Sequence, residues 1–310
     1  MLILDAAATR AALPFAQLIP ALRRMFASGC VVPPRHVHTI ADGAGGELTS
    51  LLMPAWMPGG PYGVKIINIA PGNAARGLPA LHASYLLHEA GTGRPLALID
   101  GDELTARRTA AASALAASSL ARAAARRLLV VGAGRVAALL PHAYREVRTL
   151  GRVEVWARKP AAAAALATGW REAGIDADAV TDLAAAVAKA DIVSCATLAN
   201  APLIRGVWLC EGSHLDLIGS FTPQMREADD DCLRGASVYV DTEEALAKSG
   251  DLLGAIASGA FAATALRGTL ATLSRGEVAG RRDERERTVF KSVGTALEDL
   301  AAAMLACGAR

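Results

Sequence analysis

Arg126-Arg-Leu-Leu-Val-Val-Gly-Ala-Gly-Arg-Val-Ala-Ala138 is the stretch whose reading decides the fold. Leu128 to Val131 is a short apolar run of the kind that forms a strand buried on both faces. It ends in Gly132-Ala133-Gly134-Arg135-Val136-Ala137, a G-x-G-x-x-A turn that opens into an alanine-rich helical pattern. The first glycine permits the tight turn, the second lets a pyrophosphate approach the backbone, and the small third residue lets helix and strand pack closely. Free N–H groups at the start of that helix then face the anion. Strand, turn and helix stand in the order that a dinucleotide site requires. A close helix–strand contact without a ligand is the alternative.

Outward from this turn the signal alternates between strand and helix as a parallel α/β sheet requires. Strands are expected at 128–131, 153–157, 176–180, 191–196, 214–218 and 237–240. Helices are expected at 135–149, 160–173, 182–189, 225–233, 242–248 and 261–273, with a long final helix over 288–305. Upstream, 1–28 reads as one helix. Val31 to Ile69 has β-meander punctuation at Pro33-Pro34, Asp42–Gly46 and Pro58–Pro61, and further strands are expected at 83–89 and 95–100. A long alanine helix spans 104–127, with Asp102 or Thr105 as its N-cap.

The chain has 310 residues, enough for about two domains. Hydrophobic residues make up 53% and aromatics only 4%, so the cores must be aliphatic. A mean hydropathy of +0.31 raises the question of a membrane. The longest uncharged stretches, 109–121 and 252–266, fall short of the ~20 residues of a spanning helix. A net charge of +2 gives no footprint for nucleic acid. Cys30, Cys195, Cys210, Cys232 and Cys307 show no C-x-x-C spacing, and no secretory signal opens the chain, which together read as cytoplasmic. The six histidines form no ligand-spaced cluster, so no metal is expected, and no G-x-S-x-G elbow is present.

Two groups of residues carry chemistry. After the strand Val153–Ala157, where an NAD site places an acidic residue, stand Ala157 and then Arg158-Lys159, suited to a 2′-phosphate. NADP(H) is therefore favoured, with NAD(H) as the other possibility. Lys65 sits inside an apolar strand, where a charge needs a partner. With Arg35 and Arg108 it could form a carboxylate clamp; solvated surface charge is the default reading.

Several segments in order resemble the ornithine cyclodeaminase/mu-crystallin family: Met53-Pro-Ala-Trp56, Lys65-Ile-Ile-Asn68, Pro71-Gly-Asn73, Gly77-Leu-Pro79, Gly91–Gly101, Thr105–Ala111, Val131–Gly134, Asp191–Thr197, Gly212–Ser220 and Thr288–Leu300. The resemblance runs from about residue 30 to 305. It implies a Rossmann-type dinucleotide-binding domain (119–289) inserted into an α+β substrate-binding and dimerisation domain (1–118 and 290–310). It implies a homodimer and a small imino or amino acid substrate whose carboxylate is held by Lys65, Arg108 and Arg35. The cofactor would meet Thr109, Gly132, Ala133, Gly134, Arg135, Val136, Arg158 and Lys159, with Ala196, Thr197, Ile218, Gly219, Ser220 and Ser292 at its nicotinamide end.

One departure separates the activities that the family offers. Ornithine cyclodeaminases resemble Gly-Gly-Asp-x-Pro-Gly-Lys-x-Glu where this chain has Gly219-Ser-Phe-Thr-Pro-Gln-Met-Arg-Glu227, with Phe221 at the place of the Asp. A phenyl ring can neither accept a proton nor hold an ammonium. The expected activity is therefore an NAD(P)H-dependent ketimine reductase acting on a small cyclic α-imino carboxylate, with Lys65 and Arg108 as its catalytic pair. Ornithine cyclodeamination is the alternative, and an NADPH-dependent ligand-binding protein without turnover is the third reading.

Overall fold

A computed structural model describes residues 1–41, 43 and 46–309; part of the Asp42–Gly46 punctuation lies outside the described residues. In chain order the elements are β1 (Leu2–Leu4), α1 (Ala6–Ala12), α2 (Phe15–Ser28), β2 (His36–Ala41), β3 (Glu47–Trp56), β4 (Pro61–Ile69), β5 (Leu81–Glu89), β6 (Pro95–Asp100) and α3 (Gly101–Leu120). There follow β7 (Arg127–Val131), α4 (Arg135–Tyr144), β8 (Arg152–Trp156), α5 (Pro160–Glu172), β9 (Ala177–Ala179), α6 (Leu183–Val187), β10 (Ile192–Cys195) and β11 (His214–Leu217). The last are β12 (Ser237–Val240), α7 (Ala245–Lys248), α8 (Gly250–Ala257), β13 (Gly268–Thr269), α9 (Leu270–Arg275), β14 (Thr288–Lys291) and α10 (Ala296–Cys307). Two compact units result, Met1–Arg108 with Thr295–Arg310, and Thr109–Gly294.

The first unit is built on a six-stranded sheet in the order β1-β6-β5-β4-β3-β2, antiparallel except for β1 beside β6. Helix α10 packs on α2 and across β3, β4 and β5. Along β4, every second residue from Pro61 to Ile67 is buried, so Lys65 points to the covered face with Gly63 and Ile67. The single helix expected over 1–28 is instead β1, α1 and α2. Pro14 forces the residue before it out of helical geometry, and Asp5 caps α1 by accepting from Ala8 N.

The second unit holds an all-parallel sheet in the order β13-β12-β14-β11-β10-β7-β8-β9. Strand order reverses at β7: β8 and β9 run to one side, β10 and β11 to the other. This is the switch point at which doubly wound sheets open a crevice. Leu129, Val131, Val193, Cys195, Leu215, Leu217, Val238 and Val289 lie in one aliphatic core cluster, as the low aromatic content requires.

Several expected elements differ. Helix α3 starts earlier than residue 104 because Asp100, rather than Asp102 or Thr105, caps it through Glu103 N at 2.8 Å. It stops at Leu120, where the Arg148 guanidinium donates to the Ala117, Ser118 and Ala121 carbonyls and satisfies acceptors that a helix end leaves open. The helix expected at 225–233 is only a 3₁₀ turn at Asp230–Cys232, and that at 261–273 is β13 followed by α9. Helix α8 was not expected. The largest correction is 288–305: Thr288-Val-Phe-Lys291 is an interior strand of the sheet, between β12 and β11, and only Ala296 onward is helical. Its β-branched and aromatic side chains suit a strand buried on both faces.

His214 on β11 is wholly buried, and its Nδ1 lies 2.9 Å from Thr288 Oγ1 on β14. The Thr288 hydroxyl itself donates to Leu120 O, so Nδ1 must carry the proton and Nε2 is left buried without a partner. Burial, then the Arg281 and Arg148 guanidinium groups, pull the imidazole down from 6.5 to about 3. The unfolded chain protonates near 6.5 whereas the fold resists it, so this contribution to stability is present above 6.5 and is lost as pH falls. Between about pH 7 and pH 5 the wild type should lose about 2 kcal/mol relative to His214→Asn, whose amide can replace Nδ1–H. Urea unfolding of both proteins at the two pH values measures this; an unchanged difference would refute it.

Candidate functional site

In the second unit the turn between β7 and α4 has the shape that its sequence requires. Gly132 adopts φ +121°, and a Cβ there would lie 2.5 Å from the Ala196 carbonyl oxygen. Gly134 is the N-cap of α4 and supplies no side-chain cap, and nothing stands within 4 Å of where its Cβ would be. No side chain caps the first helical turn and the space beside Gly134 is clear, which is what the close approach of a pyrophosphate needs. Ala137 is fully buried at the third small position. Ala133 and Val136 are half-buried beside the turn, and Arg135 is exposed. The residues present fit a dinucleotide.

At the end of β8, Arg158 and Lys159 are exposed. The nearest strand acid, Glu154, is engaged by Arg127 at 3.3 Å. Past the switch point, Thr197 follows β10 and Ile218-Gly219 follows β11. The Thr197 N–H and hydroxyl both donate to Glu227, at 2.7 and 2.8 Å, and Gly219 N donates to the same carboxylate at 2.6 Å. Ser220 is fully buried and its hydroxyl is spent on Met225 O and Ser249, leaving only its backbone for a ligand. Ser292 N donates to Leu217 O at 3.1 Å. Thr109, the first residue of this unit, is buried in α3. A surface cavity of about 520 Å³, lined by Phe261, Arg267, Arg282, Asp283 and Arg285 among others, precedes β12–β14 and contains none of these residues.

In the first unit the structure brings Lys65 and Arg108 together through an acidic pair. Lys65 Nζ lies 2.6 Å from Asp299 Oδ2, off the line of a hydrogen bond, and both side chains are 0% exposed. Arg108 donates from Nε to Asp299 Oδ1 at 2.9 Å and from Nη1 to Glu298 Oε2 at 2.5 Å. Burial, partly offset by Asp299, pulls the Lys65 ammonium down to about 8. For Arg108 the two carboxylates outweigh burial and hold the guanidinium above its ordinary value; Asp299 is held below the usual carboxylate range by Lys65 and Arg108 despite burial. Tyr85, opposite Lys65 on β5, is fully buried with its hydroxyl unpartnered. Arg35 is half-buried in the segment entering β2.

Sequence reasoning missed Glu298 and Asp299, and in the second unit Glu227, Asp251 and Lys291, all buried. The available signal was the pair of acids in the first turn of an otherwise apolar α10. Among the described residues no three His, Cys, Asp or Glu side chains gather as a metal site, and no helix is long and apolar enough to cross a membrane.

Residues 7–307 match the model of the ornithine cyclodeaminase/mu-crystallin family. The chain is 46% identical over 256 residues to a Delta(1)-pyrroline-2-carboxylate reductase of Paracoccus denitrificans, covering 81% of this chain and 80% of that protein. Its fold is similar to that of the Thermococcus litoralis Delta(1)-pyrroline-2-carboxylate reductase in complex with NADH and L-proline, with a TM-score of 0.92 at 32% identity over 99% of this chain and 97% of the other. It is also similar to an archaeal alanine dehydrogenase dimer with bound NAD, with a TM-score of 0.90 at 28% identity over 99% and 95%. With an uncapped glycine turn at the switch point and buried cations on β4 and α3, the chain belongs to the ornithine cyclodeaminase/mu-crystallin family.

Proposed function

We propose that this chain is a nicotinamide-dinucleotide-dependent imine reductase that reduces a small cyclic α-imino carboxylate of the Δ1-pyrroline-2-carboxylate type. The observation that carries the reading is the buried pair Lys65 and Arg108, tied to one carboxylate in a family whose relatives include reductases of that substrate. Arg108 presents a planar donor fork suited to a carboxylate, and Lys65 a single mobile ammonium. Arg35 is the third cation assigned to the substrate. The chain forms a homodimer through its first unit, as the archaeal relative is a dimer.

Gly132, Ala133, Gly134, Arg135 and Val136 hold the pyrophosphate, with Thr109 beside it. Ala196, Thr197, Ile218, Gly219, Ser220 and Ser292 line the nicotinamide end. Arg158 and Lys159 favour NADP(H), because two cations and no acid follow β8. When bound, the reduced nicotinamide supplies the hydride that converts the C=N carbon to C–H. Lys65 supplies the proton to the nitrogen. Asp299 keeps the Lys65 ammonium charged against its burial, and a value about 8 leaves that ammonium both protonated and able to donate near neutrality. Phe221, 43% exposed, brings no carboxylate to the segment after β11, which argues against cyclodeamination of ornithine.

Three outcomes test this reading. A donor must carry its proton, so kcat for NADPH oxidation with Δ1-pyrroline-2-carboxylate should fall as pH rises through about 8. Lys65→Met should abolish that limb and lower kcat about 10²- to 10⁴-fold; an unaltered pH profile removes Lys65 as the donor. Arg108→Lys keeps the charge but not the fork, and should raise KM for the imino acid about tenfold or more with a smaller change in kcat. Replacing Arg158 and Lys159 together by Ala should raise KM for NADPH about tenfold and leave KM for NADH nearly unchanged. Equal effects on the two cofactors would show that these cations do not read a 2′-phosphate.

A further inference from the structure

Glu227 is a carboxylate of the second unit that binds two strand ends at once, those of β10 and β11 beside the switch point. It is 0% exposed. Its Oε1 accepts from both the N–H and the hydroxyl of Thr197, after β10, and its Oε2 accepts from Gly219 N, after β11. The two segments touch: a Cβ at Gly219 would lie 1.8 Å from the Thr197 carbonyl oxygen and 2.5 Å from Glu227 Oε1. Beside them, the Gly132 turn has the same intolerance toward Ala196. The three strand ends at the switch point are therefore held close in one backbone arrangement, and among the described residues the Glu227 side chain bridges two of them.

The carboxylate is itself anchored. Its own N–H and that of Ala228 both donate to Asp251 Oδ1, at 2.8 and 3.0 Å, at the start of α8. Its carbonyl accepts from Leu203 N and Ile204 N. Lys291, at the end of β14 and wholly buried, lies 3.7 Å from Asp251 and compensates the two acids. An apolar side chain of similar size would fill the same space at less desolvation cost. What it would not do is accept from three donors on two separate segments, and hydrogen bonds to a charged acceptor are the stronger kind.

We propose that Glu227 is a positioning residue for the dinucleotide: by tying the segment after β10 to the segment after β11, it sets the backbone surface on which the nicotinamide half lies. This rests on the cofactor reading above. The adenine half, held by the Gly132–Gly134 turn and the end of β8, is not under its control. Removing the carboxylate should therefore affect the two halves of the cofactor unequally.

The experiment compares binding of NADH with binding of ADP-ribose, which lacks the nicotinamide, to wild-type protein, Glu227→Gln and Thr197→Val, by fluorescence titration and calorimetry. In Glu227→Gln the amide –NH₂ faces a backbone N–H that it cannot accept from. NADH affinity should fall about tenfold or more while ADP-ribose affinity changes by less than about threefold. Thr197→Val removes one of the three bonds and should shift the ratio in the same direction by a smaller factor, so the series holds even where Glu227→Gln folds poorly. In steady state, KM for the cofactor should rise and kcat fall together, with KM for the imino acid little changed. A ratio of affinities that stays at the wild-type value in a folded variant, or an equal loss for both ligands, overturns the positioning role. Wild-type protein that binds neither ligand overturns the cofactor reading, and this inference with it.

Discussion

Asp299 has no route to water, and the first unit depends on how that charge is compensated. A carboxylate buried alone would take up a proton rather than stay ionised. Here Lys65 from β4 and Arg108 from α3 meet it from two sides, and Glu298 takes the second arm of the guanidinium. Residues 65, 108 and 299 are far apart in the chain, so this contact ties the last helix to the first sheet alongside its packing on α2. It also constrains substitution. Losing either cation leaves an acid uncompensated in the interior, which costs more than the pair contributes. Conservative changes that keep charge or length are therefore the informative ones.

The second unit meets the same constraint with mostly neutral hydrogen-bond partners and one buried cation, Lys291. Asp216, on β11, accepts from Ser113, Ser194 and Tyr144. Burial pushes its carboxyl up to about 6 despite the three hydroxyls and the more distant Lys291. Glu227 accepts from three donors as well, and burial, opposed chiefly by Lys291, raises it to about 7. Asp216 and Glu227 are thus held above the usual carboxylate range, while Asp299, with two cations, is held below it.

The dinucleotide turn was legible because its evidence is local: three small residues at fixed spacing between a strand and a helix. Strands β7, β8, β10, β11 and β12 were legible for the same reason, each being a short apolar run between turn signals. The segment 288–305 was not. Thr288-Val-Phe-Lys291 leads with only a short break into an apolar helix, and Lys291 reads as the solvated face of one long helix. Its compensation by Asp251, forty residues upstream in the chain, has no local trace. The acids that organise both units were invisible for the same reason. A glutamate or aspartate in a sequence is read as solvated, and the partners of Glu227, Glu298 and Asp299 lie on other elements. Lys65 stood out because a charge inside an apolar strand violates a local pattern.

The pairing of Lys65 and Arg108 changes what their site can hold. Read from the sequence they are two cations awaiting an anion. In the fold their charge is already balanced by Glu298 and Asp299. A ligand bearing only a carboxylate would add net negative charge to a buried group, and an amine alone would add net positive charge; either is disfavoured where water cannot screen it. A cyclic imino acid protonated at nitrogen carries one charge of each sign. Its carboxylate can share the donors of Arg108, and once hydride has neutralised the iminium the amine nitrogen would take the proton that Lys65 is proposed to supply. A balanced site thus suits a balanced ligand, and the acids on α10 that keep Lys65 charged are also what makes the protonated imine the form that fits.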